Sequence, residues 1–310
     1  MKAGEIYSKT MPFVWAKLLL GLANAVAAIV LFAILMGIAS VMNSGSAAFI
    51  LFLVWLAATG MVRFVLLHYF GYLVKAGHVA VITEAVVSGS VPENQIEYGK
   101  QRVKDRFATA NVYFLLDKLV SGAVKQIQKG VSKVGDLLGF IPGIHYVVGI
   151  AQFFIEIFLG YVDECCLGYT FYKEDQSAFK SAADGVVIYA QNWKKLLANA
   201  AKTMVAVIAL LAVVVLIFVG ILSAAFRGFN LGFLGGLVSL LIAFMIALAI
   251  KSAFLDSYIL VKMLSAYMQD APDTEITFDL YEKLSGLSGK FKELFQRGQQ
   301  EPQPTASTTI

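Results

Sequence analysis

The chain of 310 residues is 58% hydrophobic and only 15% charged, with a formal net charge of +4. Soluble domains average about 45–50% apolar and about 25% charged residues, so this composition excludes an ordinary soluble fold. The apolar residues form long uninterrupted runs, without the alternating segments of about ten residues that a membrane β-barrel requires. The sequence therefore predicts an all-α integral membrane protein.

The first apolar run extends from Phe13 to Met42. It is far longer than the apolar region of about 7–15 residues in a secretory signal peptide, so we interpret it as an uncleaved membrane helix. Trp15 and Lys17 lie where an aromatic ring and a long basic side chain anchor a helix at a membrane surface. Asn43-Ser44-Gly45-Ser46 is a turn signal, and a second apolar run returns to Lys75. Residues 1–103 are therefore predicted to form a first transmembrane hairpin with a cytoplasmic segment.

The middle segment, residues 104–176, is predicted to be a diverged hairpin with an amphipathic first arm. Apolar residues recur at helical spacing from Val112 to Leu138, which indicates a helix with one apolar face. A second face carries Lys118, Lys125, Lys129 and Lys133. If the helix lies flat, these lysines bind anionic lipid head groups, and if it crosses the bilayer they line water or an anion path. The sequence does not separate these two alternatives.

The last hairpin lies within residues 177–297, which also contain its amphipathic flanks. Two apolar arms between Met204 and Met268 are separated only by the short break RGFNLG. Each arm exceeds the ~20 apolar residues that cross a hydrocarbon core. A further amphipathic piece follows from Thr274 to Arg297, and residues 298–310 are predicted to be a disordered tail.

The first and last hairpins share residues that indicate an internal duplication. Trp15-Ala-Lys-Leu-Leu19 recurs as Trp193-Lys-Lys-Leu-Leu197 at the start of each hairpin. The second arm of each hairpin contains one basic residue within its apolar run, Arg63 in the first and Lys251 in the last.

The distribution of basic residues predicts the topology. Lysines and arginines are concentrated in the polar segments 1–12, 76–107, 173–195 and 269–310, whereas the opposite turns contain only Arg227. Both termini are therefore predicted to be cytoplasmic, which requires an even number of crossings. We favour about six membrane helices in three hairpins joined by amphipathic cytoplasmic segments; the alternative has four crossings with residues 143–172 re-entrant.

Four ionisable residues within the membrane arms are the candidate functional residues, because each costs a few kcal/mol on insertion scales. They are Arg63, Glu156, Lys251 and Asp256. One hypothesis places them along a polar pathway. A second pairs Arg63 with Glu156, or Lys251 with Asp256, to lock the bundle. A third places them near a membrane interface.

Other chemistry has little support in the sequence. The only two cysteines, Cys165 and Cys166, are adjacent and make a poor structural disulfide. No nucleotide-binding glycine motif, nucleophile elbow or zinc spacing is present, so no cofactor, metal or nucleic-acid partner is predicted, and the chain is not expected to be an enzyme. The expected partners are the lipid bilayer and its anionic head groups, with a second copy or a partner membrane subunit as a further option.

Two functions fit this sequence. The first is a small-solute or ion transporter, or the membrane subunit of one, which the duplication and the intramembrane charges favour. The alternative is a membrane-organising or interaction protein that acts through its amphipathic segments 104–138, 177–200 and 274–297.

Overall fold

The structure is a computed structural model that describes residues 1–107, 110–136, 160–192 and 232–301, with Leu196, Ala209, Val213, Leu216, Ile217 and Gly220. The described residues are 88% helical and contain no strand, which confirms the all-α class. Their α-helices are α1 (Ala3–Lys9), α2 (Met11–Met42), α3 (Gly45–Arg63), α4 (Gly71–Val87), α5 (Gln95–Phe107), α6 (Ala110–Asp136), α7 (Val162–Tyr172), α8 (Ala178–Gln191), α9 (Gly232–Ile250), α10 (Asp256–Asp270), α11 (Phe278–Leu287) and α12 (Gly289–Gln300). A π-helical segment joins α3 to α4 (Phe64–Phe70) and another joins α9 to α10 (Lys251–Leu255), and a short 3₁₀ turn follows α10 (Ala271–Asp273).

Three continuous helices in the described part of the chain are long and apolar enough to cross a membrane. They are Met11–Met42, Gly45–Val87 and Leu240–Asp273. They support the predicted membrane class. The six helices and the three-hairpin arrangement stay predictions, because residues 137–159 and most of 193–231 lie outside the described residues.

The chain divides into two compact units, each built from non-consecutive segments. We call residues Met11–Lys75 and Val205–Tyr258 the apolar unit, and residues Met1–Thr10, Ala76–Met204 and Ile259–Ile310 the polar unit. Of the 25 lysines and arginines and the 21 aspartates and glutamates of the chain, only six lie in the apolar unit. The consecutive segments proposed from the sequence stay predictions beside this division.

In the apolar unit, α2 and α3 form an antiparallel pair around a small aromatic core. Asn43 adopts a left-handed φ of 46°, and the Ser44 hydroxyl accepts a hydrogen bond from the backbone N–H of Ala47 at 3.4 Å, so the chain reverses within two residues. The Trp55 indole N–H donates to the carbonyl oxygen of Ala28 at 2.8 Å. The core of buried side chains around this bond comprises Ala28, Phe52, Trp55, Val238 and Ile242.

The outer faces of these helices are apolar and exposed. Five large apolar side chains are each at least 50% exposed: Leu19, Val30 and Ile34 on α2, and Phe49 and Met61 on α3. Soluble monomers rarely expose contiguous apolar surface of this kind. Lipid chains are the solvent that such a surface requires, which again supports a membrane protein.

The polar unit buries the apolar faces of its amphipathic helices against one another. Helix α6 buries Leu116, Leu119 and Val120, and α12 buries Phe291 and Leu294. The break between α11 and α12 falls at Ser288, whose hydroxyl donates to Gln126 on α6 at 2.8 Å and accepts from the backbone N–H of Phe291 at 3.1 Å. The apolar stripes of α6 and α12 therefore serve packing within the protein.

Helix α5 reaches the rest of the polar unit through a contact between two glycines. A Cβ atom added to Gly99 would lie 2.7 Å from the carbonyl oxygen of Gly77 and 2.9 Å from its Cα. Both neighbouring atoms belong to the backbone, which cannot rotate away as a side chain can. The crossing therefore depends on the absence of a side chain at Gly99.

We predict that Gly99→Ala lowers the stability of the polar unit by about 1–3 kcal/mol, because the added methyl group overlaps the backbone of Gly77. The midpoint of thermal denaturation of the purified full chain in detergent measures the effect. The control is Gly286→Ala in α11, where the added Cβ meets nothing within 4 Å. That variant should be neutral or slightly more stable, and an equal loss in both variants would contradict the packing described.

Candidate functional site

Arg63 and Lys251, the basic residues within the second arms of the two predicted hairpins, lie at the same depth. Arg63 follows Trp55 by eight residues, so it lies opposite about residue 20 of the antiparallel α2. A Cβ added to Gly21 would overlap the Ala249 side chain and approach its Cα to 3.1 Å. Lys251, two residues past Ala249, therefore lies opposite about residue 19. With Lys17 these residues form one level, which we call the interfacial belt (Lys17, Arg63 and Lys251).

The belt lies one hydrocarbon thickness from the opposite end of α3. Helices α3 and α9 each contain 19 residues; α3 ends at Arg63, and α9 ends at Ile250, the residue before Lys251. At ~1.5 Å per residue, 19 residues span about 28 Å, close to the ~30 Å of a bilayer core. This geometry favours the interpretation that the cations lie at a membrane interface.

Lys251 has a carboxylate partner on its own helix. Its ammonium group lies 2.9 and 3.0 Å from the two carboxylate oxygens of Asp256, and both side chains are about one-third exposed, at 36% and 33%. Close by, the Lys17 ammonium donates to the hydroxyl of the buried Ser257 at 2.9 Å, and the Trp15 ring packs edge-on against Phe254 at 5.7 Å. For Lys251 and Asp256 the structure thus brings together the pair that the sequence offered as a bundle lock.

Arg63 is placed differently. Its side chain is exposed, and no described residue forms an ion pair with it. The suggested pairing with Glu156 stays a prediction, because Glu156 lies outside the described residues. Arg63 is followed directly by the π-helical segment Phe64–Phe70, just as α9 is followed by the π-helical segment Lys251–Leu255. Such segments are frequent at functional sites.

Two polar side chains inside the apolar unit, Asn24 and Thr59, were not among the candidates predicted from the sequence. Asn24 is 2% exposed, and its Oδ1 atom finds no hydrogen-bond partner among the described residues. Thr59 has a buried Oγ1 atom that likewise lacks a partner in the described part of the chain. Since Thr59 follows Trp55 by one helical turn and Asn24 precedes Ala28 by one turn, the two residues lie at the same depth. We call them the inner polar pair.

A signal for Asn24 was present in the sequence. It is the only carboxamide in the apolar run from Phe13 to Met42, and it lies on the same helical face as Gly21 and Ala28. Small residues on one face indicate close helix packing in a membrane, so a polar residue beside them faces the bundle rather than the lipid. Thr59 had no comparable signal, because threonine is common in apolar helices.

The lysine face of α6 is exposed on the polar unit. Lys118, Lys125 and Lys129 are exposed, and Lys133 belongs to the same helix, although its side chain lies outside the described residues. The opposite face of α6 is buried against other helices of this unit. The exposed lysines present positive charge without an accompanying apolar face.

Arg106 organises the polar unit and has a structural role. Its guanidinium donates to the carbonyl oxygens of Thr170 at 2.7 Å, Lys173 at 3.0 Å and Gln176 at 2.9 Å, and to the Ser181 hydroxyl at 3.0 Å. These bonds satisfy carbonyl groups at the C-terminal end of α7, which a helix end otherwise leaves unpaired. Burial lowers the pKa of Arg106, and Glu174 opposes this shift. The four hydrogen bonds of the Arg106 guanidinium hold the segment between α7 and α8 in place.

The remaining candidates for chemistry are also packed. Cys165 and Cys166 are free thiols that are fully buried in α7. Among the described residues, no group of three histidine, cysteine, aspartate or glutamate side chains could hold a metal ion. Within the apolar unit, the inner polar pair and the interfacial belt carry polar groups that a ligand could contact.

Comparisons of the chain with protein-family models, with curated proteins and with solved structures give no match.

We predict that the Lys251–Asp256 pair couples the two residues energetically. Lys251→Met alone leaves a carboxylate without its partner and should lower stability by about 1 kcal/mol, since both groups are partly exposed. Asp256→Asn should behave similarly, and the double variant should lose less than the sum of the two. A double-mutant cycle on thermal denaturation midpoints measures the coupling. Additive losses would mean that the two residues do not act as a pair.

Proposed function

We propose that the protein is a multi-pass membrane protein of the cell membrane, with both termini cytoplasmic, and that it transports a small solute or ion, alone or as the membrane subunit of a transporter. Three long apolar helices support the membrane assignment. The basic residues of the polar segments support the orientation, because cytoplasmic segments are rich in lysine and arginine. The six-helix arrangement is part of this proposal.

The inner polar pair is the observation that carries the transport proposal. An unsatisfied buried hydrogen-bonding group costs about 1–3 kcal/mol, and Asn24 and Thr59 each have a buried oxygen without a partner in the described part of the apolar unit. Polar residues retained within a membrane bundle at such a cost mark substrate or ion pathways. Two oxygen atoms at one depth can accept hydrogen bonds from a solute or coordinate a cation, and either interaction would offset the cost.

The depth of the pair suits a binding step on a transport path. Asn24 lies seven residues past Lys17, which is about 10 Å along the helix at ~1.5 Å per residue. Thr59 lies one helical turn before Arg63. A solute bound there has passed the interfacial belt and entered the hydrocarbon layer, so the site differs from a binding place on the membrane surface.

A second candidate function is membrane organisation or interaction with another protein. The observation in its favour is the exposed lysine face of α6, because each basic residue near an anionic membrane surface contributes about 1 kcal/mol of binding energy. The apolar face of α6 is buried within the polar unit. This function would therefore act through charge, and insertion of α6 into the lipid would not be required.

We predict that replacing the inner polar pair separates transport from stability. The variant Asn24→Leu combined with Thr59→Val removes both oxygen acceptors and keeps the number of side-chain heavy atoms at each position. It should abolish uptake of the transported species, while its thermal midpoint stays equal or rises, because two unsatisfied buried groups are gone. The measurement is uptake by reconstituted proteoliposomes of a panel of sodium, potassium, chloride, amino acids and sugars.

The control is Ser40→Ala in the same helix, where the hydroxyl is exposed and bonds only the nearby Gly37 carbonyl oxygen at 2.7 Å. It should leave both uptake and stability unchanged. Unaltered uptake in the double variant would contradict the transport site. A large loss of stability would show that Asn24 and Thr59 are structural, and an absence of any uptake by the natural chain would favour the membrane-organising function.

A further inference from the structure

The first helix pair of the apolar unit contains cations but no carboxylate. No aspartate or glutamate occurs between Glu5 and Glu84, whereas Lys17, Arg63 and Lys75 all lie in this interval within the apolar unit. Arg63 therefore has no acidic residue on α2, on α3 or on the π-helical segment that follows it. Any counter-ion for its guanidinium has to come from elsewhere.

The helix that contains Lys251 supplies a counter-ion for this cation itself. Lys251 lies at the level of Arg63 and forms its ion pair with Asp256, five residues further along the same helix. The position five residues after Arg63 is His68, which supplies no negative charge. The two cations thus occupy equivalent levels, but only Lys251 is neutralised by its own helix.

A ladder of rings follows Arg63, and its members Phe64 and His68 are exposed whereas Tyr72 is partly buried. Phe64 stacks on His68 with ring centroids 4.9 Å apart, His68 meets Tyr72 edge-on at 4.9 Å, and the Lys75 ammonium lies 4.8 Å above the Tyr72 ring. Phe64 is 62% exposed. Tyrosine rings such as that of Tyr72 are enriched at the level of lipid head groups.

We propose that an anionic phospholipid binds to this face of the π-helical segment and that its phosphate is the counter-ion of Arg63. The guanidinium offers two parallel N–H donors to two phosphate oxygens. The rings of Phe64, His68 and Tyr72 pack against the glycerol and upper acyl region, and Lys75 adds a second positive charge at the polar end of the ladder. A net anionic head group is favoured over a zwitterionic one because this surface carries positive charge that no residue between 6 and 83 offsets.

The test uses the full chain in nanodiscs that contain equal amounts of phosphatidylglycerol and phosphatidylcholine. Native mass spectrometry counts the lipids that stay bound after release from the disc. The natural chain should retain phosphatidylglycerol in preference, and Arg63→Gln should reduce that retention about fivefold, the effect expected of one basic residue at an anionic surface. Arg63→Lys should give an intermediate value, because the charge is kept and the paired donors are lost.

The matched control is Lys104→Gln, which removes one positive charge from an exposed position of the polar unit. It should leave lipid retention unchanged. Because Arg63→Gln could fold poorly, Phe64→Leu combined with Tyr72→Leu keeps the charge and should lower retention of both lipids by shortening the ladder. Inorganic phosphate should not displace the lipid, since it cannot use the rings.

Equal retention of phosphatidylglycerol by the natural chain and Arg63→Gln would overturn the proposal. Displacement by inorganic phosphate would also overturn it, because the site would then recognise a free anion. Loss of stability in Arg63→Gln that is the same with and without phosphatidylglycerol would assign the counter-ion to the protein itself. None of these outcomes depends on whether the chain transports a solute.

Discussion

Two helices of 19 residues set the geometry of this protein: one ends at Arg63, and the other ends at Ile250, directly before Lys251. An apolar helix of that length matches the hydrocarbon core, so a cation at its end can reach polar surroundings without crossing the bilayer centre. The chain continues past each cation through a π-helical segment, and it leaves the apolar unit soon afterwards, at Lys75 and Tyr258.

The same requirement, that a charge be neutralised, is met in different ways across the protein. Lys251 has Asp256 on its own helix, and Arg106 in the polar unit gives its donors to carbonyl oxygens and to the Ser181 hydroxyl. Arg63 has neither arrangement among the described residues. Asn24 and Thr59 extend this contrast to uncharged groups, because each has a buried oxygen that finds no partner among the described residues. A ligand can bind at a polar or charged side chain that has no partner among the described residues.

The sequence predicted the all-α membrane class from its long apolar runs and the first turn from the residues Asn43 to Ser46. It could not show which cation is paired, since the Lys251–Asp256 contact depends on the side chains within one π-helical segment. It could not show that the apolar face of α6 is covered by other helices, because an amphipathic pattern is the same whether its face meets lipid or protein. Thr59 was missed because its depth follows only from the contact between Trp55 and Ala28.

Spin labels on the exposed face of α3 and the following segment measure most directly where the bilayer lies relative to Arg63. Labels at Phe49, Leu53, Met61 and Phe70 in reconstituted vesicles report depth through collisions with oxygen and with a polar nickel reagent. The greatest depth should fall near Leu53, and contact with the polar reagent should rise from Met61 to Phe70. A greatest depth at or beyond Met61 would place Arg63 within the bilayer core and would contradict the interfacial belt.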